Sequence, residues 1–110
     1  MGANFGTATP EEIERLDAIR AIVLANPGRL HMAIWHSARW RPEHTPEEEM
    51  TCGSAHCIAG WLQALSPDPA IRKMDAEEAG RLLAPTAASL FFADDDTVLQ
   101  WFKDRGYAPR

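Results

Sequence analysis

Basic charge is scarce in this sequence. Eleven Lys and Arg stand against sixteen Asp and Glu, a formal net charge of −5 with histidine neutral. That balance argues against a general binder of nucleic acid or of an anionic membrane surface, which needs a positive field to draw phosphates in. An acidic surface competing for another protein's basic site stays open. Long apolar runs are missing as well: none approaches the ~18 residues of a membrane-crossing helix. Met1 to Thr7 lack the basic start and apolar centre of a secretory signal, and Gly6 stands where N-myristoylation asks for Ser or Thr. The expectation is a cytoplasmic protein with no direct nucleic-acid or membrane contact. Cysteine is nearly absent, with two residues, which in that compartment are expected as thiols rather than a structural disulfide. No phosphate-cradling glycine loop, HExxH or GxSxG occurs.

What is present suits one globular core. Hydrophobic residues make up 45% and charged residues 25% of 110 positions. A chain of this length buries roughly two thirds of its unfolded surface. Thr9-Pro10-Glu11-Glu12 reads as a capping box with proline at the first helical position. Ile13, Leu16, Ile19, Ile22 and Val23 then recur at helical spacing, so a helix is predicted over 10–25, closed by Asn26-Pro27-Gly28. Residues 29–41 read two ways. Leu30, Met32 and Ile34 alternate as in an extended piece, while a helix would group His31 with Trp35 and Met32 with His36. Thr45-Pro46-Glu47-Glu48 repeats the start signal without an apolar face behind it, so one turn at most is expected, with Glu47-Glu48-Glu49 a solvated acidic run. Ser54 is placed to cap a helix over 55–65, with Cys57, Ile58, Trp61, Leu62 and Leu65 inward and Gly60 open to close backbone approach. Ser66-Pro67-Asp68-Pro69 ends it. Asp75 starts a third helix with Ala79, Leu82 and Leu83 inward, Thr86 a short fourth, and Asp94-Asp95-Asp96 a fifth over 97–105, ended by Gly106. The acidic triplet suits a helix dipole better than a hard cation. The fold class is therefore all-α: a flexible stretch over 1–8, then one compact domain over 9–108 of about five short helices, with a short extended element near 30–36 as the competing detail.

Chemically capable side chains crowd into Cys52-Gly53-Ser54-Ala55-His56-Cys57-Ile58-Ala59-Gly60-Trp61. The structural reading leads: Cys57 packs as a small hydrophobe beside Ile58 and Trp61, and Gly53 supplies an unusual backbone angle for a turn. A metal reading takes His44, Cys52 and His56 as candidate zinc ligands, with His36 also upstream, but there is no CxxC pair. A catalytic reading makes Cys52, His56 and Cys57 the candidates, with a thiolate favoured at a helix start. Neighbours on a helix point about 100° apart, which sets His56 and Cys57 on different faces. The papain-type Cys-Gly-Ser-Cys-Trp is interrupted here by Ala55 and His56. A reversible Cys52–Cys57 disulfide is the redox version.

The motif, with Leu30-His31-Met32, Trp35-His36, Ala79 to Leu83 and Leu90-Phe91-Phe92 around it, resembles a family of small uncharacterised bacterial and bacteriophage proteins sharing Cys-Gly-Ser/Thr-x-x-Cys-Ile-Ala-Gly. The resemblance covers most of the chain from the first helix onward. It implies an accessory protein of mobile elements and transfers no catalytic residue. With no catalytic set complete and four tryptophans available as binding anchors, the leading expectation is a non-enzymatic interaction or regulatory module with a protein partner and no cofactor. Trp35, His36 and Trp40, in the least regular stretch, are its candidate contacts. The alternative is a metal- or thiol-dependent enzyme, or a redox switch, centred on Cys52, His56 and Cys57.

Overall fold

The capping box at Thr9 forms as the sequence dictates: Glu12 N–H donates to Thr9 Oγ1 and Thr9 N–H to Glu12 Oε2. Helix α1 follows over Pro10–Ala25. The computed structural model describes residues 8–38, 40–51 and 53–108; the expectation for the first seven residues, and every role assigned to Cys52, lies outside them. Further α-helices run over Pro46–Thr51 (α2), Ile58–Ala64 (α3), Pro69–Arg72 (α4), Ala76–Leu83 (α5) and Asp95–Asp104 (α6), with 3-10 turns over Pro27–Arg29 and Pro85–Leu90. The protein is all-α and forms one domain.

Helix α3 is the axle. All seven of its residues are buried, so it has no polar face and belongs to the interior of a wrapped domain. Around it lie α1 through Leu16, Ile19 and Val23, α5 through Ala79 and Leu83, and the C-terminal segment through Phe91, Val98, Phe102 and Tyr107. The closest approach is at Gly80. A Cβ there would come within 2.7 Å of the Ala59 methyl, so α5 rests directly on α3.

Several boundaries depart from the sequence reading. The central helix starts at Ile58, capped by Cys57 rather than Ser54: Gly60 N–H donates to the Cys57 sulfur at 3.3 Å. His56 and Cys57 therefore precede the helix in extended chain. Ser66 to Pro69 do end α3, and Asp68 there also caps a short helix that the sequence reading did not include, α4, through Ala70 N–H. Leu82 faces solvent, 60% exposed, since the buried line of α5 runs through Ala79, Gly80 and Leu83. Thr86 does not cap the Pro85–Leu90 turn, which has no side-chain cap. Helix α2 runs to six residues, its start held by reciprocal Thr45–Glu48 bonds. Its Glu49 is fully buried rather than solvated. Asp94 caps α6 through Thr97 N–H, as the dipole argument expects.

Candidate functional site: a buried histidine seam and an aromatic rim

The extended element near 30–36 is real in a reduced form: two isolated bridges, Leu30 with His56 in parallel and His36 with His56 in antiparallel sense. His31 N–H donates to His56 O, His56 N–H to Arg29 O, Ser37 N–H to Ala55 O and Cys57 N–H to Ile34 O, at 3.0 to 3.2 Å. Residues 30–37 thus loop around His56. Gly60 makes the loop sit flat on α3: a Cβ there would stand 1.7 Å from the Trp35 carbonyl oxygen, a clash no rotamer relieves. Gly53, at φ +81°, turns the chain from α2 into this strip.

A continuous polar seam lies beneath the loop. His44 Nδ1 is 2.7 Å from Glu49 Oε2. Glu49 Oε1 takes the Ser54 hydroxyl at 2.7 Å and lies 3.0 Å from His56 Nε2. His56 Nδ1 is 2.7 Å from His36 Nδ1, and His36 Nε2 is 2.6 Å from Gln63 Oε1. The Gln63 amide then donates to the Ile71 and Met74 carbonyls. Glu49 and His56 are fully buried, while His44 reaches solvent with 30% of its side chain exposed. Aromatic walls dry the seam. Trp40 stacks on His36 at 3.7 Å and Trp61 meets the His56 ring edge-on at 4.5 Å. Arg29 braces the far side, donating to the Glu49, Met50 and Ser54 carbonyls with its guanidinium over Trp61.

The hydrogen-bond inventory fixes the protons. Two carbonyls hold the Gln63 NH₂ in place, so its oxygen must accept and His36 Nε2 must carry a hydrogen. His36 Nδ1 and His56 Nδ1 then share one proton. A further proton on His56 Nε2 would complete the row and make the imidazole pair cationic against the carboxylate. Burial opposes that charge: it pulls His36 below the ordinary histidine range and, with His36 adding to it, pulls His56 down to about 4, while Glu49 pulls the other way. For Glu49, burial alone would raise the carboxyl, but bonds from Ser54, His44 and His56 outweigh it and hold the group low.

Ser54, His56 and Glu49 are the members of a hydrolytic triad, wired wrongly for one. Such a triad needs the hydroxyl on one ring nitrogen and the carboxylate on the other. Here both approach His56 Nε2, Ser54 at 3.3 Å, and the second nitrogen is occupied by His36. Ser54 is 2% exposed, so no substrate reaches it.

Of the thiol and metal candidates, Cys57 is buried, its thiol raised by desolvation that bonds from Gly60 and Ala59 only partly offset. That is the opposite of an activated nucleophile. His44 and His56 do converge, but on the Glu49 carboxylate, and among the described residues no group of three or more His, Cys, Asp or Glu is placed to hold a metal ion. Of the candidate contact residues, Trp35 is 36% exposed. His36 points into the seam, and Trp40 is half-buried on top of it. The Trp40 Nε1 and Ser37 Oγ atoms are buried without a hydrogen-bond partner among the described residues.

The loop's outer side carries a different chemistry. Trp35 and Phe92 form an edge-to-face pair with ring centres 5.7 Å apart, and Phe92 is 73% exposed. A small recess of 140 Å³ lies under them, lined by Met32, Ala33, Ile34 and Phe91 as well. Beside it an open depression of 530 Å³ runs from Met32 and Phe92 to Asp94, Asp95 and Asp96. Asp95 pins the loop by accepting Met32 N–H at 2.7 Å. Glu49, Gln63 and Phe92 escaped the sequence reading. The first looked like part of an acidic run and the second like a polar position on a helix. The one available signal for Phe92 was a second phenylalanine after the one that fills the core.

No protein-family model, curated protein or solved structure matches the chain.

Proposed function

We propose that this protein is an interaction module that receives an apolar segment flanked by basic residues on the Trp35–Phe92 rim. The observation that carries the reading is the exposed edge-to-face pair beside the acidic triplet. Single exposed hydrophobics need no explanation, but an edge-to-face aromatic pair over a recess offers an anchor pocket of the kind binding hot spots use. Asp94 and Asp95 are engaged in capping α6 and holding Met32. Both carboxylates still add to the negative field, and Asp96 stands exposed beside them. The formal charge of −5 supplies long-range attraction for the same partner. An accessory role on mobile elements, which the motif resemblance implies, is compatible with such a module and rests on the motif residues alone.

Panning a displayed random-peptide library against the purified protein tests the proposal. Enriched peptides should carry an aromatic or large aliphatic residue next to Lys or Arg, and their binding should weaken as salt is raised. Phe92→Ser and Trp35→Ala should each weaken binding about tenfold or more, the cost of a lost hot-spot side chain, while Asp96→Asn should mainly slow association. Peptides held equally by wild type and Phe92→Ser, or no enrichment at all, would overturn it.

A further inference from the structure

We infer that the His36–His56 contact is an acid-released latch on the loop that carries Trp35, so that acidification dismantles the docking rim. The inference names a regulation of the rim proposed above and rests on that reading for its consequence, though not for its mechanism.

The geometry sets the sign. The two Nδ1 atoms stand 2.7 Å apart, a separation that accommodates one proton between two nitrogens and not one on each. The other nitrogen of each ring is already committed, His36 to Gln63 and His56 to Glu49. The closed pair therefore holds at most one positive charge. In an opened loop, both rings are free to take a proton each at the ordinary histidine value. A state that binds more protons gains on the other as pH falls, so acid favours opening. Burial of the rings acts in the same direction.

Three structural facts make this pair a latch and not merely a buried polar contact. His36 lies next to Trp35 in the chain, so its ring points inward where Trp35 points out. The loop's other ties to the strip at 55–57 are single bonds: His31 to His56, Ser37 to Ala55 and Cys57 to Ile34 along the backbone, and the Cys57 thiol to the Trp35 carbonyl. And protons have a route: solvent-reaching His44 touches Glu49, which touches His56. The charged or titratable groups facing the pair are Glu49 from α2, with His44 behind it, and Arg29 from the turn after α1. The Cys57 thiol at the head of α3 adjoins them. Glu49 favours one proton on the pair, Arg29 opposes it, and neither makes room for a second.

Amide hydrogen exchange with ring-nitrogen NMR of the full chain tests this without any partner. Between about pH 7 and about pH 5, protection at Ser37 and Cys57 should fall about tenfold more than at Leu65, after correction for intrinsic rates. The His36 and His56 rings should gain protons together with that loss. His36→Gln, which keeps a hydrogen-bonding side chain without the charge, should remove the extra pH dependence; His44→Gln should retain it and slow its onset. Protection that falls in step at all three amides, or stays constant while the rings titrate, overturns the latch. If His36→Gln does not fold, the wild-type comparison of Ser37 and Cys57 with Leu65 decides alone. Binding of a peptide selected on the rim separates the two ideas. Peptide lost in Phe92→Ser but unaffected by acid defeats the latch only. Acid-induced loop opening with no peptide bound defeats the rim only.

Discussion

Two polar networks tie irregular chain to the helices, and they differ in almost every physical respect. The histidine seam is dry, with Glu49, His56 and Ser54 all at 2% exposure or less. The second is a clasp at the chain end: Asp17 on α1 takes both Arg105 and the Tyr107 hydroxyl, closing the turn that follows α6. Its Asp17–Arg105 ion pair is exposed, at 41% and 42%. Arg105 sits at φ 49°, a left-handed helix end, and Trp101 packs where a Cβ on Gly106 would fall. The clasp locates a surface turn with charges that keep their water, whereas the seam locates an internal loop with groups that have lost theirs. Exposed pairs contribute little to stability, and buried ones are costly to break.

Substitutions should sharpen that contrast. The largest effect is expected at Gly60, where alanine drives a methyl into the Trp35 carbonyl. Gly60→Ala should cost about 3 kcal/mol or more in denaturant unfolding, because backbone must move to admit it; a loss under about 1 kcal/mol would show that the loop does not rest on α3. Next is the seam against the clasp. Glu49→Ala removes the carboxylate that His56, His44 and Ser54 share, and should cost about 3 kcal/mol. Asp17→Asn, which weakens an exposed pair, should cost about 1 kcal/mol or less. Equal losses would erase the distinction between the networks.

The pH dependence is the sharpest in sign. His56 falls from its ordinary 6.5 to about 4 on folding, through burial above all. Its depressed value means the folded state binds protons less readily than the unfolded chain. The stability this confers is complete above 6.5 and lost as pH falls towards 4. Tyr107 moves oppositely, raised from 10.0 to about 12 by burial and by Asp17, so its contribution holds below 10.0 and is lost as pH rises through about 12. Unfolding free energy should therefore decline on the acid side through the seam and on the alkaline side through the clasp. His56→Gln should flatten the first arm and Tyr107→Phe the second; an acid arm unchanged in His56→Gln would remove the seam as its source.

Much of the architecture was legible along the chain because its signals are local. A capping box needs residues three apart, and Thr9–Glu12 forms one; an N-cap needs one side chain, and Asp75 and Asp94 supply it. Gly60 announced a close backbone approach and Gly53 an unusual angle, and both occur. The central helix began later than its pattern suggested because sulfur, a weak acceptor, does the capping while Ser54 is drawn to Glu49. Burial of Glu49 was not legible at all. A carboxylate enters a core only if partners meet it there, and these come from positions 44, 54 and 56 on other segments.

By itself, then, the sequence determined the extent of the first helix and the caps at Asp75 and Asp94, that the helices pack as one all-α domain, and that polar side chains would crowd near His56, since the local signals depend on spacing within a few residues. Only the tertiary structure decided that His56 would face His36 and Glu49 rather than Cys57, that Trp35 would turn outward against Phe92, and that Cys57 would serve a helix end. The reason is that burial and pairing are properties of segments brought together from afar. The free energy of a charged or polar side chain is set by what meets it, not by its neighbours in the chain.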